Sequence, residues 1–263
     1  MLPLKSAVVQ VAWLGVPFGA TVPGVDFRFA DALAQDGDAP EGTARPWPLA
    51  GGTHVYPWPF ELGAEPLPAE TNGHVSFGID AGSGEINPEA AAAWSEALLA
   101  VPGSRLLLRD NRFGHSDAIN RLIETFGDFG VAHRIEVVSA SSRNEFLREI
   151  DVLLTPFPFT RPYAAAEALA LGVPVVALSL AGAMCEDGAC LVRRLGLAER
   201  GLAVTTADYV KAAVAWAADA AGRATFRREA RSRFSASPAY DVAAFTRQLE
   251  DAYLGMWRAV TGH

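Results

Sequence analysis

The stretch "PFPFTRPYAAAEALALGVPVV" (156–176) changes its hydrophobic period midway and thereby indicates the fold. A proline-punctuated segment comes first, an alanine-rich stretch with the single acid Glu167 follows, and Gly-Val-Pro then opens an apolar run. A helix pattern between the short apolar runs "DVLLTPF" (151–157) and "VPVVAL" (173–178) predicts a crossover helix between two parallel strands.

Strands and helices alternate in the same way upstream. We predict strands at "HVSFGID" (74–80), "SRLLLRD" (104–110) and "RIEVVSA" (134–140), separated by helices. The helix after the first strand has Asn87 in the N-cap position and Pro88 in its first turn. This alternation predicts right-handed crossovers and an α/β fold, a Rossmann-like doubly wound parallel sheet of about five strands.

The first 74 residues lack this regularity. "AVVQVAWLG" (7–15) has the pattern of a buried strand, and a Gly- and Pro-rich loop follows it. Residues 35–73 are rich in Pro, Gly and Trp, which predicts a long irregular connection. We expect its aromatic residues to cover an edge of the core rather than to form a stacking surface: Trp47, Tyr56, Trp58 and Phe60.

Composition excludes several classes of function. The formal net charge of −8 argues against a nucleic-acid partner, which needs a clustered excess of Lys and Arg. The two cysteines, Cys185 and Cys190, have no partner ligands for zinc and form no disulfide framework, so we expect no metal site. No apolar run approaches the roughly 20 residues of a membrane span, and no signal peptide is evident. We therefore expect a soluble cytoplasmic protein.

Three loops meet where a parallel sheet binds its ligands. Ligands bind beyond the carboxyl ends of the strands, where strands lead into helices. The segments "DAGSGE" (80–85), "SASSR" (139–143) and "PFTRPYAAAE" (158–167) join a predicted strand end to a helix start. We expect the binding site at these loops, with Ser139 and Arg143 contributed by the second.

The third loop is the most specific of the three. A helix that starts near Arg161 would point the N–H groups of Tyr163, Ala164 and Ala165 outward, and these favour an anion such as a pyrophosphate. Glu167, one turn further on, would accept hydrogen bonds from ribose hydroxyls. The alternative is a capped core helix whose alanines pack on the sheet and whose acid favours the positive helix end. Spacing alone supports the two readings equally.

Other residues carry weaker signals. "DAGSGE" is not the GxGxxG fingerprint, and Glu85 within it would repel a diphosphate. The histidines have no motif around them, so we expect surface or loop residues rather than a catalytic base: His54, His74, His115 and His133.

Four segments, in one order along the chain, resemble a known family. "VQVAWLGVPFGATVPGVDFRFADAL" (9–33) is similar to the "WLGYPGTSG" region of the O-GlcNAc transferase and SPINDLY-like glycosyltransferases, and "VSFG…INPEAAAAWSEALLAVPGSRLLLR" (75–109) resembles their next segment. "REIDVLLTPFPF…EALALGVPVV" (148–176) resembles "IDV.LDT.PY.G.TT..EAL..GVPVV", and "SASPAYDVAAFTRQLEDAYLGMW" (235–257) resembles their closing segment. The resemblance covers nearly the whole chain.

The resemblance implies a GT-B fold of two Rossmann-like lobes with a nucleotide sugar between them. The family transfers a sugar to protein Ser or Thr hydroxyls without a metal, so it implies no cofactor other than the nucleotide sugar as co-substrate. By this resemblance, residues 75–263 are the C-terminal, nucleotide-sugar-binding lobe with its closing helices. Residues 1–74 are a remnant of the N-terminal lobe and an irregular linker. The family histidine that lies near the sugar, and its tetratricopeptide array, have no counterpart.

Single residues follow from the resemblance. Leu14 and Gly15 fall where the family's loop approaches the sugar, Arg109 on the arginine that ends the second strand, and Glu167 on the acid that binds the ribose.

The departures from the family pattern all concern phosphate binding. Glu85 replaces a lysine that neutralises the diphosphate, Glu186 replaces an arginine, and residues 161–165 replace a Gly-Thr run. Losing one such donor costs roughly 3 kcal/mol of transition-state stabilisation, so activity requires Arg109, Arg143 or Arg161 to compensate.

Three hypotheses follow. The first is a nucleotide-sugar-dependent glycosyltransferase with a UDP-GlcNAc-like donor and a protein acceptor. The second is a catalytically degenerate lobe that acts as a protein-binding or scaffold module, which the acids Glu85 and Glu186 favour. The third is one half of a glycosyltransferase, completed by a second chain or by a homo-oligomer.

Overall fold

A computed structural model describes nine segments of the chain. They are residues 5–13, 22–34, 42–57, 66–82, 85–109, 116–138, 142–158, 161–180 and 186–262, with the side chains of 116–119 and 186 outside the description. Trp58, Phe60, His115 and Cys185 lie outside the described residues.

The described residues form one large parallel sheet of six strands. Its strands are β4 (Ser76–Asp80), β5 (Arg105–Arg109), β6 (Ile135–Val138), β7 (Val152–Leu154), β8 (Val175–Leu178) and β9 (Leu202–Ala203). The order β6-β5-β4-β7-β8-β9 reverses direction between β4 and β7, which is the switch point of a doubly wound fold. The five predicted strands are confirmed. The sixth, β9, was missed because two residues show no periodicity.

Ten helices occur in the described residues, and most flank the large sheet. They are α1 (Pro68–Asn72), α2 (Pro88–Ala100), α3 (Ser116–Gly127), α4 (Arg143–Arg148), α5 (Pro162–Ala170), α6 (Glu186–Arg194), α7 (Ala198–Gly201), α8 (Thr206–Ala218), α9 (Ala220–Ser235) and α10 (Val242–Thr261). Asn87 caps α2 as predicted, since its side chain accepts a hydrogen bond from the amide of Ala90. None of the described helices has the length and apolar character needed to cross a bilayer.

A second, smaller sheet lies in the first 74 residues and corrects the prediction there. It consists of β1 (Val11–Ala12), β2 (Phe27–Asp31) and β3 (Arg45–Leu49), all parallel, in the order β1-β2-β3. The predicted strand over 7–15 is thus only two residues long in the described part, and the predicted loop and irregular connection each contain a strand.

Two prolines explain why β3 was not predicted from the sequence. Its sequence is "RPWPL", and proline donates no hydrogen bond to a sheet. The amide of Arg45 donates to the carbonyl of Asp26 at 2.9 Å, so alternate residues of β3 face β2. The proline nitrogens at 46 and 48 therefore lie on the opposite edge, where no ladder bond is lost.

Helix α10 packs on the small sheet. Ala252 and Met256 of α10 form a buried cluster with Phe27, Phe29 and Leu49. Trp47 packs against this cluster, edge to face with Phe27 at 5.5 Å between ring centroids, and so covers the core as predicted.

The core of the large sheet is built from close contacts between β4 and the helices that cross it. Gly78 of β4 is buried beneath Phe146 of α4 and Ile150, which lies two residues beyond this helix: a Cβ at this position would lie 2.4 Å from Ile150 Cδ1 and 3.0 Å from Phe146 Cζ. Alanines of α2 and α5 are buried in the same core, including Ala91, Ala97 and Ala165. The large sheet therefore depends on small residues at its centre.

We predict that Gly78→Ala lowers the free energy of unfolding by about 1–3 kcal/mol, because the added methyl overlaps Ile150 and forces the strand or helix to move. Gly127→Ala is the matched control, since Gly127 ends α3 on the surface and a Cβ there meets nothing within 4 Å. Urea unfolding measures both. Equal stability of Gly78→Ala and the wild type would contradict this packing.

Candidate functional site

The carboxylate of Asp80 is the centre of a group of charged side chains at the switch point. Asp80 ends β4 and is 1% exposed. Arg109, the last residue of β5, approaches Asp80 Oδ1 with Nη1 at 3.2 Å, and Arg161 Nη1 lies 3.7 Å from the same oxygen. Arg143, at the start of α4, donates from Nε to Asp80 Oδ2. Three guanidinium groups, from the end of β5 and the starts of α4 and α5, thus meet one buried carboxylate.

Glu167 and Arg143 form the second part of this group. Arg143 Nη1 donates to Glu167 Oε1 at 2.9 Å. Burial raises the pKa of Glu167, and the charge and hydrogen bond of Arg143 offset only part of that increase. Burial also acts to lower the pKa of Arg143, but the hydrogen bonds and charges of Asp80 and Glu167 outweigh it and raise this pKa overall. Arg143 therefore connects the buried acid with the acid of α5.

Glu85 and Arg161 form the third part. Glu85 Oε2 accepts hydrogen bonds from Arg161 Nε at 2.9 Å and Nη2 at 2.8 Å, and from the amide of Gly82 at 2.6 Å. We call the six residues the charge cluster: Asp80, Glu85, Arg109, Arg143, Arg161 and Glu167. Its three carboxylates balance its three guanidinium groups, so the cluster carries no formal net charge.

The start of α5 differs in one respect from the prediction. The amides of Ala164 and Ala165 donate to the carbonyl of Arg161 at 2.9 and 3.2 Å, so the prediction that they point freely outward is wrong. The first turn closes on its own N-cap residue, which satisfies these donors inside the helix. Ala164 is buried and contributes close packing, whereas Tyr163 is 47% exposed. The alanines of the helix pack on the core, as one of the two interpretations predicts. Ligand binding at its start stays a prediction.

Tyr163 adjoins two aromatic residues that follow β3. Its ring meets those of His54 and Tyr56 edge to face, with centroids 5.8 and 5.2 Å apart, and His54 stacks on Tyr56 at 5.9 Å. Burial lowers the pKa of His54, against the opposing charges of Asp187 and Asp31. His54 is thus a half-buried loop residue whose neutral form is favoured, beside the start of α5.

An open cleft of about 560 Å³ lies next to Glu167. Arg109, Arg143 and Glu167 line it together with residues of α4 and its cap: Ser142, Asn144, Glu145 and Arg148. A cleft bounded by a carboxylate, arginines and polar groups at the carboxyl end of a parallel sheet suits a polar ligand with an anionic part. Among the described residues, no group of three or more His, Cys, Asp or Glu side chains is arranged to bind a metal.

Most predicted site residues that the structure describes come together here. Arg109, Arg143, Arg161 and Glu167 belong to the charge cluster, and Tyr163 lies beside it. Leu14, Gly15 and Ser139 lie outside the described residues, as does the side chain of Glu186.

Asp80 is the one residue of the charge cluster that was not singled out from the sequence. Asp80 ends a predicted strand and opens a loop that was recognised as a ligand loop, so its position was the available signal. His54 is a loop residue, as predicted, and its ring contacts Tyr56 and Tyr163.

Relatives of the chain include plant SPINDLY proteins. The chain is 30% identical to the "Probable UDP-N-acetylglucosamine–peptide N-acetylglucosaminyltransferase SPINDLY" of Oryza sativa subsp. japonica over 97% of its length. It is 28% identical to the protein of the same name from Petunia hybrida over 98% of its length. The chain spans 28% of the length of each of these relatives. No protein-family model matches the chain.

Solved structures that superpose on the chain agree with the relatives identified by sequence. A lysine-to-methionine variant of the Thermobaculum terrenum O-GlcNAc transferase superposes with a TM-score of 0.82 at 29% identity, over 96% of this chain and 49% of that one. Anabaena HepE in complex with UDP-glucose superposes with a TM-score of 0.54 at 14% identity, over 88% of this chain and 64% of that one, which shows similarity of fold alone. The chain therefore has a GT-B-like α/β fold and, over nearly its whole length, resembles the SPINDLY and O-GlcNAc transferase glycosyltransferases.

Proposed function

We propose that this chain is the donor-binding part of a nucleotide-sugar-dependent glycosyltransferase that transfers a sugar to a protein Ser or Thr hydroxyl. The observation that carries the proposal is the convergence of Arg109, Arg143 and Glu167 on one cleft at the switch point of the sheet. The SPINDLY relatives are named as transferases that use UDP-N-acetylglucosamine, which supports a UDP-GlcNAc-like donor. Residues 75–263 form the donor-binding lobe in this proposal.

Glu167 binds the ribose of the donor. Its Oε1 is fixed by Arg143, and a carboxylate has further lone pairs that accept from the two hydroxyls of a ribose. The cleft beside α4 then accommodates the nucleoside, since Glu167, Arg143 and the polar residues around the start of α4 line it. Arg143 orients Glu167 and lines the same cleft.

Arg161 stabilises the leaving group. In the transfer, the acceptor hydroxyl oxygen bonds to the anomeric carbon, the bond from that carbon to the phosphate oxygen breaks, the hydroxyl proton passes to solvent, and the nucleoside diphosphate leaves with an added negative charge. A guanidinium group binds phosphate through parallel hydrogen bonds. Arg161 is 26% exposed and precedes the start of α5, whose dipole favours the same charge. The guanidinium group of Arg161 and the dipole of α5 stabilise the leaving phosphate without a metal ion in this proposal.

A second candidate function is a protein-binding module without catalysis. It is favoured by the balance of the charge cluster, in which each of the three arginines already contacts a carboxylate. An unbalanced positive site would be expected for a diphosphate. Intact-mass measurement of an acceptor protein co-expressed with this chain separates the two: a mass increase of one sugar supports the transferase.

We predict that calorimetry with UDP, CMP and GDP sugars detects binding of at least one donor, and that Glu167→Ala weakens it tenfold or more. The reason is that hydrogen bonds to a charged group contribute about 1.5–3 kcal/mol each. The matched control is Glu229→Ala, because Glu229 is an exposed acid of α9 that also pairs with an arginine, Arg233 at 2.7 Å. No binding of any nucleotide sugar, with no effect of Glu167→Ala, would rule the proposal out.

The titration of Glu167 also makes the free energy of unfolding depend on pH. Burial raises its pKa above the ordinary value of 4.5, so the folded chain holds this proton to higher pH than the unfolded chain. The contribution of protonated Glu167 to the free energy of unfolding is therefore fully present below pH 4.5, and it is lost as the pH rises through the higher pKa of the folded chain. We predict that Glu167→Gln raises the free energy of unfolding at pH 7, with a smaller difference at pH 4.

Chemical denaturation at the two pH values measures this difference, with Glu229→Gln as the control. A loss of stability for Glu167→Gln at pH 7 would instead show that Glu167 is a structural partner of Arg143.

A further inference from the structure

The arginine that the proposed function assigns to the leaving phosphate is already bound to an anion of the chain. Arg161 directs both Nε and Nη2 to a single oxygen of Glu85, at 2.9 and 2.8 Å. These two N–H groups form one edge of the guanidinium group, and arginine uses such an edge to bind a phosphate through two parallel hydrogen bonds. Glu85 therefore occupies the place on Arg161 that a phosphate oxygen would take.

Exposure distinguishes the carboxylates that pair with the arginines. The side chain of Asp80 is 1% exposed, and those of Glu85 and Arg161 are 28% and 26% exposed. A partly exposed ion pair is held weakly, whereas breaking a buried pair leaves an uncompensated charge. A ligand from solvent can thus displace Glu85 from Arg161, while Asp80 stays with Arg109 and Arg143.

Glu85 retains a partner when Arg161 leaves it. Its Oε2 also accepts from the amide of Gly82, on the loop that follows β4. The carboxylate can therefore stay in place while the guanidinium group turns to an incoming anion. A diphosphate offers more charge and more acceptor oxygens than one carboxylate, so it is the class of ligand suited to win this exchange.

We propose that Glu85 is an internal anion that occupies Arg161 when no donor is present, and that a donor binds by replacing Glu85 with its diphosphate. The proposal rests on the proposed function for the identity of the donor. Glu85 then sets the affinity of the site for phosphate groups. It weakens the binding of every anion to Arg161, and it does not change the binding of a nucleoside in the cleft.

The test is calorimetry with three probes: uridine, UDP and inorganic pyrophosphate. Glu85→Gln keeps a hydrogen-bond acceptor for the amide of Gly82 and removes the charge. It should therefore increase the affinity for UDP and for pyrophosphate by about tenfold, equivalent to about 1.4 kcal/mol. Uridine affinity should not change. Glu229→Gln removes the same charge from an arginine pair on the exposed face of α9 and should change none of the three affinities.

A double variant tests whether the increase in affinity depends on Arg161. Adding Arg161→Gln to Glu85→Gln should abolish the gain for UDP and pyrophosphate, because the released guanidinium group is then gone. Thermal unfolding of each variant verifies that it is folded.

The outcomes separate this inference from the proposed function. Unchanged or weaker pyrophosphate and UDP binding by folded Glu85→Gln overturns the inference, even if nucleotides bind the wild type. Tighter pyrophosphate binding that needs Arg161, with no binding of uridine or UDP by any variant, supports the internal anion and removes the nucleotide from the proposed function.

Discussion

The contact of the buried Asp80 carboxylate with three guanidinium groups is the constraint on which the site depends. A carboxylate that is 1% exposed is stable only if it is paired, and its partners come from the end of β5, the start of α4 and the start of α5. Strand pairing already places Arg109 opposite Asp80 at the carboxyl ends of β4 and β5. The ion pairs add the starts of α4 and α5 to this place, and they hold Arg143 where it can orient Glu167.

Acids in this cluster have different roles because their burial differs. The side chain of Asp80 is closed off from solvent, whereas those of Glu167 and Glu85 are 16% and 28% exposed. The inner acid organises the arginines, and the outer two are within reach of a ligand. The raised pKa of Glu167 shows the cost of that position, since its ionised form is less stable in the folded chain than in water. Such a cost is common where a residue serves binding rather than stability.

Much of the large sheet could be predicted from the sequence because local signals agree there. Strands β4 to β8 are short apolar runs, each followed by a helix pattern, and Asn87 marks the start of α2 by its side chain alone. The small sheet could not be predicted in this way, since β3 contains two prolines and reads as a loop until its pairing with β2 places them on the free edge.

The candidate site was predictable in its location and less so in its contacts. The rule that ligands bind at the carboxyl ends of parallel strands identified three loops, and the structure brings Asp80, Arg143 and Arg161 of these loops together. Asp80 was missed because its partners Arg109 and Arg143 lie 29 and 63 residues away in sequence. Glu85 was read as a repelling charge because Arg161, 76 residues further on, was not known to face it. Local sequence shows which charges are present, and only the fold shows how they pair.

A crystal structure of the chain with UDP bound tests the roles of Glu167 and Arg161 most directly. We expect electron density for the ribose within hydrogen-bonding distance of Glu167, with Arg161 turned from Glu85 to a phosphate oxygen and Asp80 still paired with Arg109 and Arg143. Density for UDP away from Glu167, or an Arg161 that stays on Glu85 while the phosphates lie elsewhere, would show that these roles are wrong.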